Sequence, residues 1–459
     1  VAYEDLVPVL DTDSARAAGD LVWPIGRMQR GDAAAALARA PRRLAGRMTI
    51  GGQEHFYLEG MVALAVPGED GDVLVHCSTQ HPSEGQLLIA QVLGVPTHAV
   101  TVECRRMGGG FGGKETHANL FAAVAALVAR ATGRPAKCRL DRDDDMIMTG
   151  KRHDFTVDYE VGFDETGVIE AVAMDFASRC GWSADLSGPV NDRALFHADN
   201  CYYYENVRLA CYPCRTNMVS ATAFRGFGGP QGMVAAERIV EEVAFALGRD
   251  PLEIRKRNFY GTGDRNLTPY HQAVEDNIIH ELVDELERTS DYAARRRAVA
   301  DWNRTSRWHK RGLALTPVKF GISFTMTAYN QAGALLHIYR DGSIQLNHGG
   351  TEMGQGLYVK VAQVVAEELQ VDIARIRLTA TNTSKVPNTS ATAASSGSDL
   401  NGMAAQAAAR TLKDRLTAFA AARAQASPDE VVWLPGRVRV KGEEIAFEKL
   451  VHDAYFARV

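Results

Sequence analysis

The chain has 459 residues, of which 46% are hydrophobic and 23% are charged, and its formal net charge is −5. This length predicts about two to four domains, each with a hydrophobic core. The charge excludes the basic field that nucleic-acid binding requires, and no apolar stretch is long enough to span a bilayer, so neither nucleic acid nor a membrane is an expected partner.

In chain order, the hydrophobic pattern predicts a mixed α/β fold. The first half is predicted to contain a strand at 1–10, a polar Ala-rich stretch up to 47, a strand and helix at 73–77 and 83–93, a strand and helix at 99–105 and 116–130, a strand at 137–141, a hairpin at 155–176 and a helix at 233–247. The second half is predicted to contain an Arg-rich helical stretch at 280–311, a hairpin at 334–346, a helix at 357–369 and a strand at 373–379. The order strand, glycine loop, helix and strand occurs in both halves and predicts two related domains.

The cysteine content indicates a cellular location, and the two chain ends indicate a segment of a longer polypeptide. Seven scattered cysteines favour a reducing, cytoplasmic location. Cys211 and Cys214 form the one C-x-x-C pair in the sequence. A zinc or iron–sulfur site needs about four ligands, so we interpret this pair as loop cysteines and expect no iron–sulfur cluster on this chain. Because the chain starts with valine and stops without a tapering tail, we expect a segment of a longer polypeptide.

A glycine-rich loop at 107–115 lies between a predicted strand and a predicted helix. Its glycines let backbone N–H groups approach an anion, which the helix dipole also favours. Gly108, Gly113 and Lys114 fit the P-loop pattern, but Glu115 stands where that motif needs Ser or Thr for Mg²⁺. We therefore expect a ligand other than a plain nucleotide, with a P-loop nucleotidase as the alternative.

Four glycine- or small-residue loops recur, at 108–113, 225–232, 349–356 and 392–397. One such loop is most often a tight turn. Four of them favour a large polar ligand held by main-chain amides, such as a pterin dinucleotide or another phosphate-bearing cofactor.

Several side chains beside these loops have two interpretations each. Phe111, Phe227 and Phe324 are either core residues or rings that sandwich a flat aromatic substrate. Taken singly, Gln80 is typical of a turn, and Glu115 and Arg193 are typical of a protein surface. The spacing of these residues does not decide between the interpretations.

Long segments resemble the molybdenum-cofactor subunit of the xanthine dehydrogenases, a family of molybdenum hydroxylases. The resemblance spans essentially the whole chain, and its segments are 52–59 (GQEHFYLE), 106–115 (RMGGGFGGKE), 222–231 (TAFRGFGGPQ), 348–357 (HGGTEMGQGL) and 386–394 (VPNTSATAA). It implies a mixed α+β fold with two molybdopterin-binding domains, at 13–265 and 266–459, around a central cofactor cleft. Residues 1–12 would be the tail of a preceding hammerhead-like domain.

The resemblance implies roles for individual residues. Gln80 would hydrogen-bond the apical oxo group of a molybdenum that has no direct protein ligand. The other cofactor contacts would be Gly110, Phe111, Arg225, Gln355, Ala393 and Ala394. Glu115 and Arg193 would be catalytic residues that bind a purine, because aldehyde oxidases typically have apolar residues at both positions. The other substrate contacts would be Phe227, Phe324 and Thr325.

The activity implied is oxidation of hypoxanthine and xanthine to uric acid with oxygen from water. This chain would bind a molybdopterin whose molybdenum carries oxo, sulfido and hydroxo ligands, with hydride passing to the sulfido ligand. Electrons would pass through 2Fe–2S clusters and FAD on a partner chain or domain to NAD⁺, in a heterotetramer of two subunit types. The family's general-base glutamate would lie beyond residue 459, because Glu443, Glu444 and Glu448 lie in a predicted hairpin and helix start. A non-catalytic assembly module is the remaining alternative.

Overall fold

The computed structural model describes residues 3–459, and this range contains sixteen strands and thirteen α-helices. The strands are β1 (Gly26–Arg30), β2 (Arg42–Ile50), β3 (Val62–Pro67), β4 (Val73–Cys77), β5 (Val100–Cys104), β6 (Ala136–Arg139), β7 (Phe155–Phe163), β8 (Ile169–Gly181), β9 (Asn206–Arg215), β10 (Ala334–Ile338), β11 (Ile344–His348), β12 (Ile376–Leu378), β13 (Thr381–Asn382), β14 (Val432–Leu434), β15 (Arg437–Val440) and β16 (Glu443–Ala446). The helices are α1 (Thr12–Ala18), α2 (Ala33–Arg39), α3 (Pro82–Leu93), α4 (Ala118–Thr132), α5 (Arg142–Met148), α6 (Ser187–Phe196), α7 (Gly229–Leu247), α8 (Pro251–Asn258), α9 (Ile279–Thr289), α10 (Tyr292–Thr305), α11 (Leu357–Leu369), α12 (Gly397–Arg423) and α13 (Phe447–Phe456).

The elements form two compact units, and each unit is built from two separate stretches of chain. Unit 1 comprises the described residues up to Gln53 together with Lys151–Gly321. Unit 2 comprises Glu54–Gly150 together with Ile322–Val459.

Unit 1 is built on a five-stranded sheet in the order β1-β9-β8-β7-β2. All neighbouring strands are antiparallel except β8 and β9, which are parallel. Inward-facing residues such as Phe155 and Phe176 pack in one buried cluster with Ile239 and Val243 of α7, as expected for alternating strand residues facing an apolar helix stripe. This core fixes helix α6, which carries Arg193, and the start of α7, which directly follows the loop with Arg225 and Phe227.

Unit 2 contains a five-stranded sheet in the order β13-β5-β4-β3-β6 and two three-stranded sheets, β10-β11-β12 and β14-β15-β16. One buried cluster lies among β3, β4, β5, α3 and α4, and a second lies among β10, β11, α11 and α12. The loop at 107–115 follows β5 and precedes α4, and the loop at 349–356 follows β11 and precedes α11. Both glycine loops that suggested a duplicated pattern therefore belong to unit 2.

The mixed α/β fold class is confirmed, and several elements match their predicted bounds closely. Helix α11 (Leu357–Leu369) and strand β4 (Val73–Cys77) coincide with the predictions. The predicted hairpin at 155–176 is formed by β7 and β8, and Asp164 Oδ1 in its turn accepts hydrogen bonds from the N–H groups of Thr166 and Val168. The predicted division at residues 12 and 265, and the central cleft, stay predictions.

Three local predictions are wrong. Residues 3–10 contain no strand. Strands β1 and β2 lie in the stretch that was predicted only as polar and Ala-rich. Strands β1 and β2 are the two edge strands of the sheet in unit 1. Their exposed positions include arginines, which made the alternation of apolar and polar residues hard to recognise.

The third correction concerns Cys211 and Cys214, which lie in β9 and not in a loop. Both are fully buried, but they belong to different apolar clusters of unit 1. Residues three apart on a strand point to opposite faces of the sheet. This pair therefore cannot bind one metal ion together.

Candidate functional site

Three of the four predicted loops meet within unit 2, and Gln80 connects two of them. The buried Gln80 side chain accepts a hydrogen bond from the N–H of Gly112 (2.9 Å) and donates one from Nε2 to the carbonyl of Thr392 (3.1 Å). Thr392 Oγ1 in turn accepts from the N–H of Thr351 (2.8 Å). Gln80 thus does not act as an isolated turn residue, since it fixes the loop at 108–113 to the loop at 392–397.

The loops at 108–113 and 392–397 contain strained backbone, together with main-chain N–H groups that donate no hydrogen bond. Phe111 and Ala394 have φ values of 54° and 56°, in the left-handed region that a bulky side chain rarely occupies. Within residues 3–459, the N–H groups of Gly110, Phe111, Ala393 and Ala394 donate no hydrogen bond. Clustered main-chain donors of this kind bind anionic or strongly polar groups, so the loops fit the polar, phosphate-bearing cofactor that the sequence predicts.

Lys114 excludes the P-loop alternative. Its side chain is fully buried, and Nζ donates to the carbonyl of Glu59 (2.6 Å) and to Ser78 Oγ (2.8 Å). A P-loop lysine must reach a phosphate, which this side chain cannot do. Burial would raise the pKa of Glu59, but hydrogen bonds from Gly108 N–H and Ser78, together with the Lys114 charge, hold that pKa below its ordinary value. Glu59 had no role predicted from the sequence, although it lies in a segment of the family resemblance.

Gln355 is exposed and folds back on its own loop. Its Nε2 donates to the carbonyl of Thr351 (3.0 Å), and its Oε1 accepts from the N–H of Met353 (2.7 Å). Glu352 accepts hydrogen bonds from the N–H groups of Gly356 and Tyr358 at the start of α11, which satisfies donors that a helix N-terminus leaves unpaired. Gln355 therefore orders this loop, and its contact with a pterin stays a prediction.

Phe324 and Thr325 lie beside the loop at 392–397. The N–H of Ser323 donates to the carbonyl of Ala394 (2.8 Å), which ties the predicted substrate contacts to a predicted cofactor contact. Asn330 holds Phe324 through two hydrogen bonds to its backbone. Glu115 of this unit is also buried, with 6% of its surface exposed, so its interpretation as an ordinary surface charge is wrong.

Unit 1 holds Arg193, Arg225 and Phe227. Arg193 lies in the last turn of α6 with 6% of its surface exposed, and its Nη1 donates to the carbonyl of Gly321 (2.7 Å). Burial lowers the pKa of the Arg193 guanidinium, but an arginine stays charged because its ordinary pKa is so high. The interpretation of Arg193 as a surface charge is therefore also wrong.

The loop at 225–232 packs directly on the helix that carries Arg193. A Cβ atom at Gly228 would lie only 2.0 Å from the carbonyl oxygen of Val190 in α6, and Gly228 has a φ of 94°. Phe227 has a φ of 53°, the same left-handed conformation as Phe111 in the other GFGG segment. Arg152 Nη2 donates to the carbonyl of Arg225 (2.9 Å), which holds the backbone of this loop while the Arg225 side chain is exposed.

His197 gives this region a pH-dependent stability. Burial lowers its pKa to about 4, opposed by the hydrogen bond that Nδ1 makes to the Arg193 carbonyl. The ring is thus neutral in the folded state, and protonation favours the unfolded state, where the pKa is about 6.5. We expect the contribution of His197 to the free energy of unfolding to be complete above about pH 6.5 and to be lost as the pH falls toward 4, a decrease of about 3 kcal/mol.

Urea unfolding midpoints of the intact protein between pH 7 and pH 4 would test this. His197→Asn should reduce the acid dependence only in part, because burial also lowers the pKa of His153 and of His348 to about 4, and replacement of the exposed His271 by glutamine should leave it unchanged. Equal pH profiles for the wild type and His197→Asn would contradict the expectation.

Between residues 3 and 459, no three or more His, Cys, Asp and Glu side chains are grouped so that they could hold a metal ion. In the same range, no helix is both long and apolar enough to cross a membrane.

The sequence model described as "Molybdopterin cofactor-binding domain" matches residues 17–259, and a second model with the same description matches residues 285–459. The chain is 46% identical to xanthine dehydrogenase/oxidase of Gallus gallus over 91% of its own length, and 43% identical to xanthine dehydrogenase of Blastobotrys adeninivorans over 100%. It spans 31% and 32%, respectively, of the lengths of these relatives.

Solved structures share the fold. Quinoline 2-oxidoreductase from Pseudomonas putida 86 matches with a TM-score of 0.84 at 21% identity, over 100% of this chain and 61% of that one. Aldehyde oxidoreductase from Desulfovibrio gigas matches with a TM-score of 0.75 at 25% identity, over 89% of this chain and 45% of that one.

Proposed function

The chain belongs to the molybdopterin cofactor-binding family, and we propose that it is part of a molybdenum hydroxylase that oxidises hypoxanthine and xanthine to uric acid. The observation that best supports a cofactor role is the set of unpaired N–H groups at Gly110, Phe111, Ala393 and Ala394, two of them on left-handed residues. The relatives named xanthine dehydrogenase support the choice of purine substrates.

The cofactor would be held mainly by backbone. The loops at 108–113 and 392–397 would bind it through the unpaired N–H groups, Gln80 would contact the oxo group of the molybdenum, and Arg225 and Gln355 would complete the binding. The bound molybdenum would supply two-electron oxidation with oxygen derived from water. The protein would supply orientation and a fixed set of donors, because preorganised dipoles need not reorganise during the reaction.

Glu115 and Arg193 would bind and orient the purine. Both are buried, and the acceptor oxygens of Glu115 and the N–H donors of Arg193 are complementary to the ring N–H groups and carbonyl oxygens of a purine. Arg193 would stabilise negative charge that develops on a purine oxygen, because its fork of N–H donors suits such an oxygen. Phe227 and Phe324 would stack on the ring, with Thr325 as a neighbouring contact.

The remaining parts of the enzyme would lie outside this chain, which spans about a third of the length of its named relatives. A 2Fe–2S and FAD-containing partner chain or domain would carry electrons to NAD⁺, in a cytoplasmic heterotetramer. The general base would also be contributed outside these residues. Within the chain, we propose the domain division at residues 12 and 265, with both cofactor-binding domains around one cleft.

Replacing Gly110 tests the cofactor role. A Cβ atom at this position would lie 2.6 Å from Gln80 Oε1, and Gln80 cannot move away without breaking its bonds to both loops. We expect Gly110→Ala in the intact enzyme to lower the molybdenum content several-fold and to lower xanthine turnover in proportion. The measurement is elemental analysis of purified protein combined with steady-state kinetics.

The matched control is Gly402→Ala in α12 of the same unit, where the added methyl group meets only one side-chain atom at 3.5 Å. It should keep full molybdenum content. A purified wild-type enzyme that lacks molybdenum, or that has it but does not oxidise xanthine, would refute the proposed function.

A further inference from the structure

A short segment of unit 1, residues 317–321, contacts the Arg193 guanidinium directly. We call these residues the strap. The carbonyl of Gly321 at the end of the strap accepts a hydrogen bond from Arg193 Nη1 (2.7 Å). The ring of Phe320 lies 5.7 Å from the Arg193 guanidinium carbon. The position of the Arg193 guanidinium therefore depends on where the strap lies.

An ion pair between the partly exposed Lys319 and the buried Asp199 anchors the strap. Lys319 Nζ donates to Asp199 Oδ2 (2.8 Å) and to the hydroxyl of Tyr270 (3.1 Å). Asp199 is 1% exposed, and its Oδ2 also accepts from the hydroxyl of Tyr260 (2.6 Å). A carboxylate buried to this degree is retained only when it is paired and hydrogen-bonded. Lys319 is thus held by the buried Asp199, which the Tyr260 hydroxyl also binds, and by the hydroxyl of Tyr270.

Asn200 and His197 hold the strap at further points. Asn200 accepts from the N–H of Lys319 (3.2 Å) and donates to the carbonyl of Pro317 (3.1 Å). The His197 ring lies 4.9 Å from the ring of Phe320, and its Nδ1 is bonded to the Arg193 carbonyl (2.9 Å). His197, Asp199 and Asn200 follow Arg193 closely in sequence, just after the end of α6. One short stretch of chain therefore carries both the arginine and these contacts to the strap.

We propose that the Lys319–Asp199 pair, acting through the strap, positions Arg193 for purine recognition and so makes Lys319 and Asp199 specificity-determining positioning residues. This inference rests on the proposed function of Arg193. If the strap shifts, the Gly321 carbonyl no longer orients the guanidinium. Misplacement of a substrate-positioning group by about 1 Å can cost on the order of 100-fold in rate.

The test compares xanthine with a small aromatic aldehyde in the intact enzyme. Lys319→Met should lower kcat/KM for xanthine by about 10- to 100-fold and change that for the aldehyde less than about threefold, while Lys319→Arg should restore most of the xanthine activity. The purine Kd, measured by calorimetry on molybdenum-free protein, should rise in Lys319→Met. In an Arg193→Met background, Lys319→Met should have little further effect, because coupled residues are not additive.

Two further variants keep the test decisive if Lys319→Met does not fold. Asn200→Gly releases the strap by removing a different side chain, and glycine tolerates the φ of 43° at this position. It should produce the same selective loss on xanthine. Lys256→Met, which removes an ion-paired lysine of the same unit bound to Asp284 and Glu287, should leave both activities unchanged.

The outcomes separate the two proposals. Equal losses on xanthine and aldehyde in Lys319→Met and Asn200→Gly, or fully additive effects with Arg193→Met, would overturn the role of the strap while leaving the function of Arg193 intact. An Arg193→Met variant that loses activity on xanthine and on the aldehyde by the same factor would overturn both.

Discussion

Replacement of Arg193 by methionine is expected to lower kcat/KM for xanthine by about 10²–10³-fold. This is the typical effect of removing one preorganised hydrogen-bond donor from a position where negative charge develops in the transition state. Turnover of a small aromatic aldehyde should fall far less, because an aldehyde has one carbonyl and tolerates an apolar wall. Arg193 is buried and already bound to the Gly321 carbonyl, so its guanidinium is oriented before substrate arrives. Steady-state kinetics on both substrates is the measurement.

Glu115→Val is the companion change, and it should shift preference toward aldehydes. A purine donor or acceptor left without its partner in a buried site costs about 1–3 kcal/mol. Arg304→Met, which removes an arginine with a side chain 77% exposed in the same unit as Arg193, is the control and should leave both activities unchanged. Equal losses on the two substrates would mean that Arg193 and Glu115 serve the fold or the cofactor.

Gly228→Ala should abolish most xanthine activity and lower the stability of unit 1. The methyl group would meet the Val190 carbonyl oxygen at 2.0 Å and the Ala194 backbone nitrogen at 3.0 Å, and the φ of 94° is unfavourable for alanine. Backbone strain of this kind costs about 1–3 kcal/mol before the steric clash is added. Because Val190 and Ala194 belong to the helix that carries Arg193, the clash must displace Phe227, Arg193 or both.

Thermal melting of the intact enzyme and xanthine kinetics would measure this effect. Gly263→Ala is the matched control, because an added Cβ atom there has no neighbour within 4 Å and its φ is not positive. Wild-type activity in Gly228→Ala would show that close contact between this loop and α6 is not needed for function.

Elements with a strong local signal could be predicted from the sequence. Helix α11 has a glycine before its first residue and an apolar stripe that is buried at Leu357, Val361, Val365 and Leu369. Both its start and its buried face could therefore be predicted. The edge strands β1 and β2 were missed, since an edge strand with one exposed face carries polar residues that resemble a loop. Strand β9 was missed at Cys211 and Cys214, which were interpreted as loop cysteines because no second cysteine pair accompanies them.

Contacts between distant residues could not be predicted in this way. The pairing of Lys114 with Glu59 joins residues from two loops. The Gly113-Lys114 sequence, which fits the P-loop pattern, does not indicate that the lysine side chain is buried. The same holds for Asp199 and Lys319, which lie 120 positions apart in the sequence. By contrast, Gln80, Phe111 and Ala394 were identified through family resemblance, and the structure adds the physical features of these positions, namely convergent loops, left-handed backbone and unpaired donors.

The interleaved order of the two units has a consequence for biosynthesis. The chain enters unit 2 after Gln53, returns to unit 1 after Gly150 and enters unit 2 again after Gly321. On the ribosome, β3 to β6 are therefore made long before β13, the strand that pairs with the outer edge of β5. An unpaired strand edge readily pairs with another chain. Unit 1 can close as soon as Gly321 emerges, whereas the nascent sheet of unit 2 keeps an open edge, and we expect aggregation during synthesis to begin at β5.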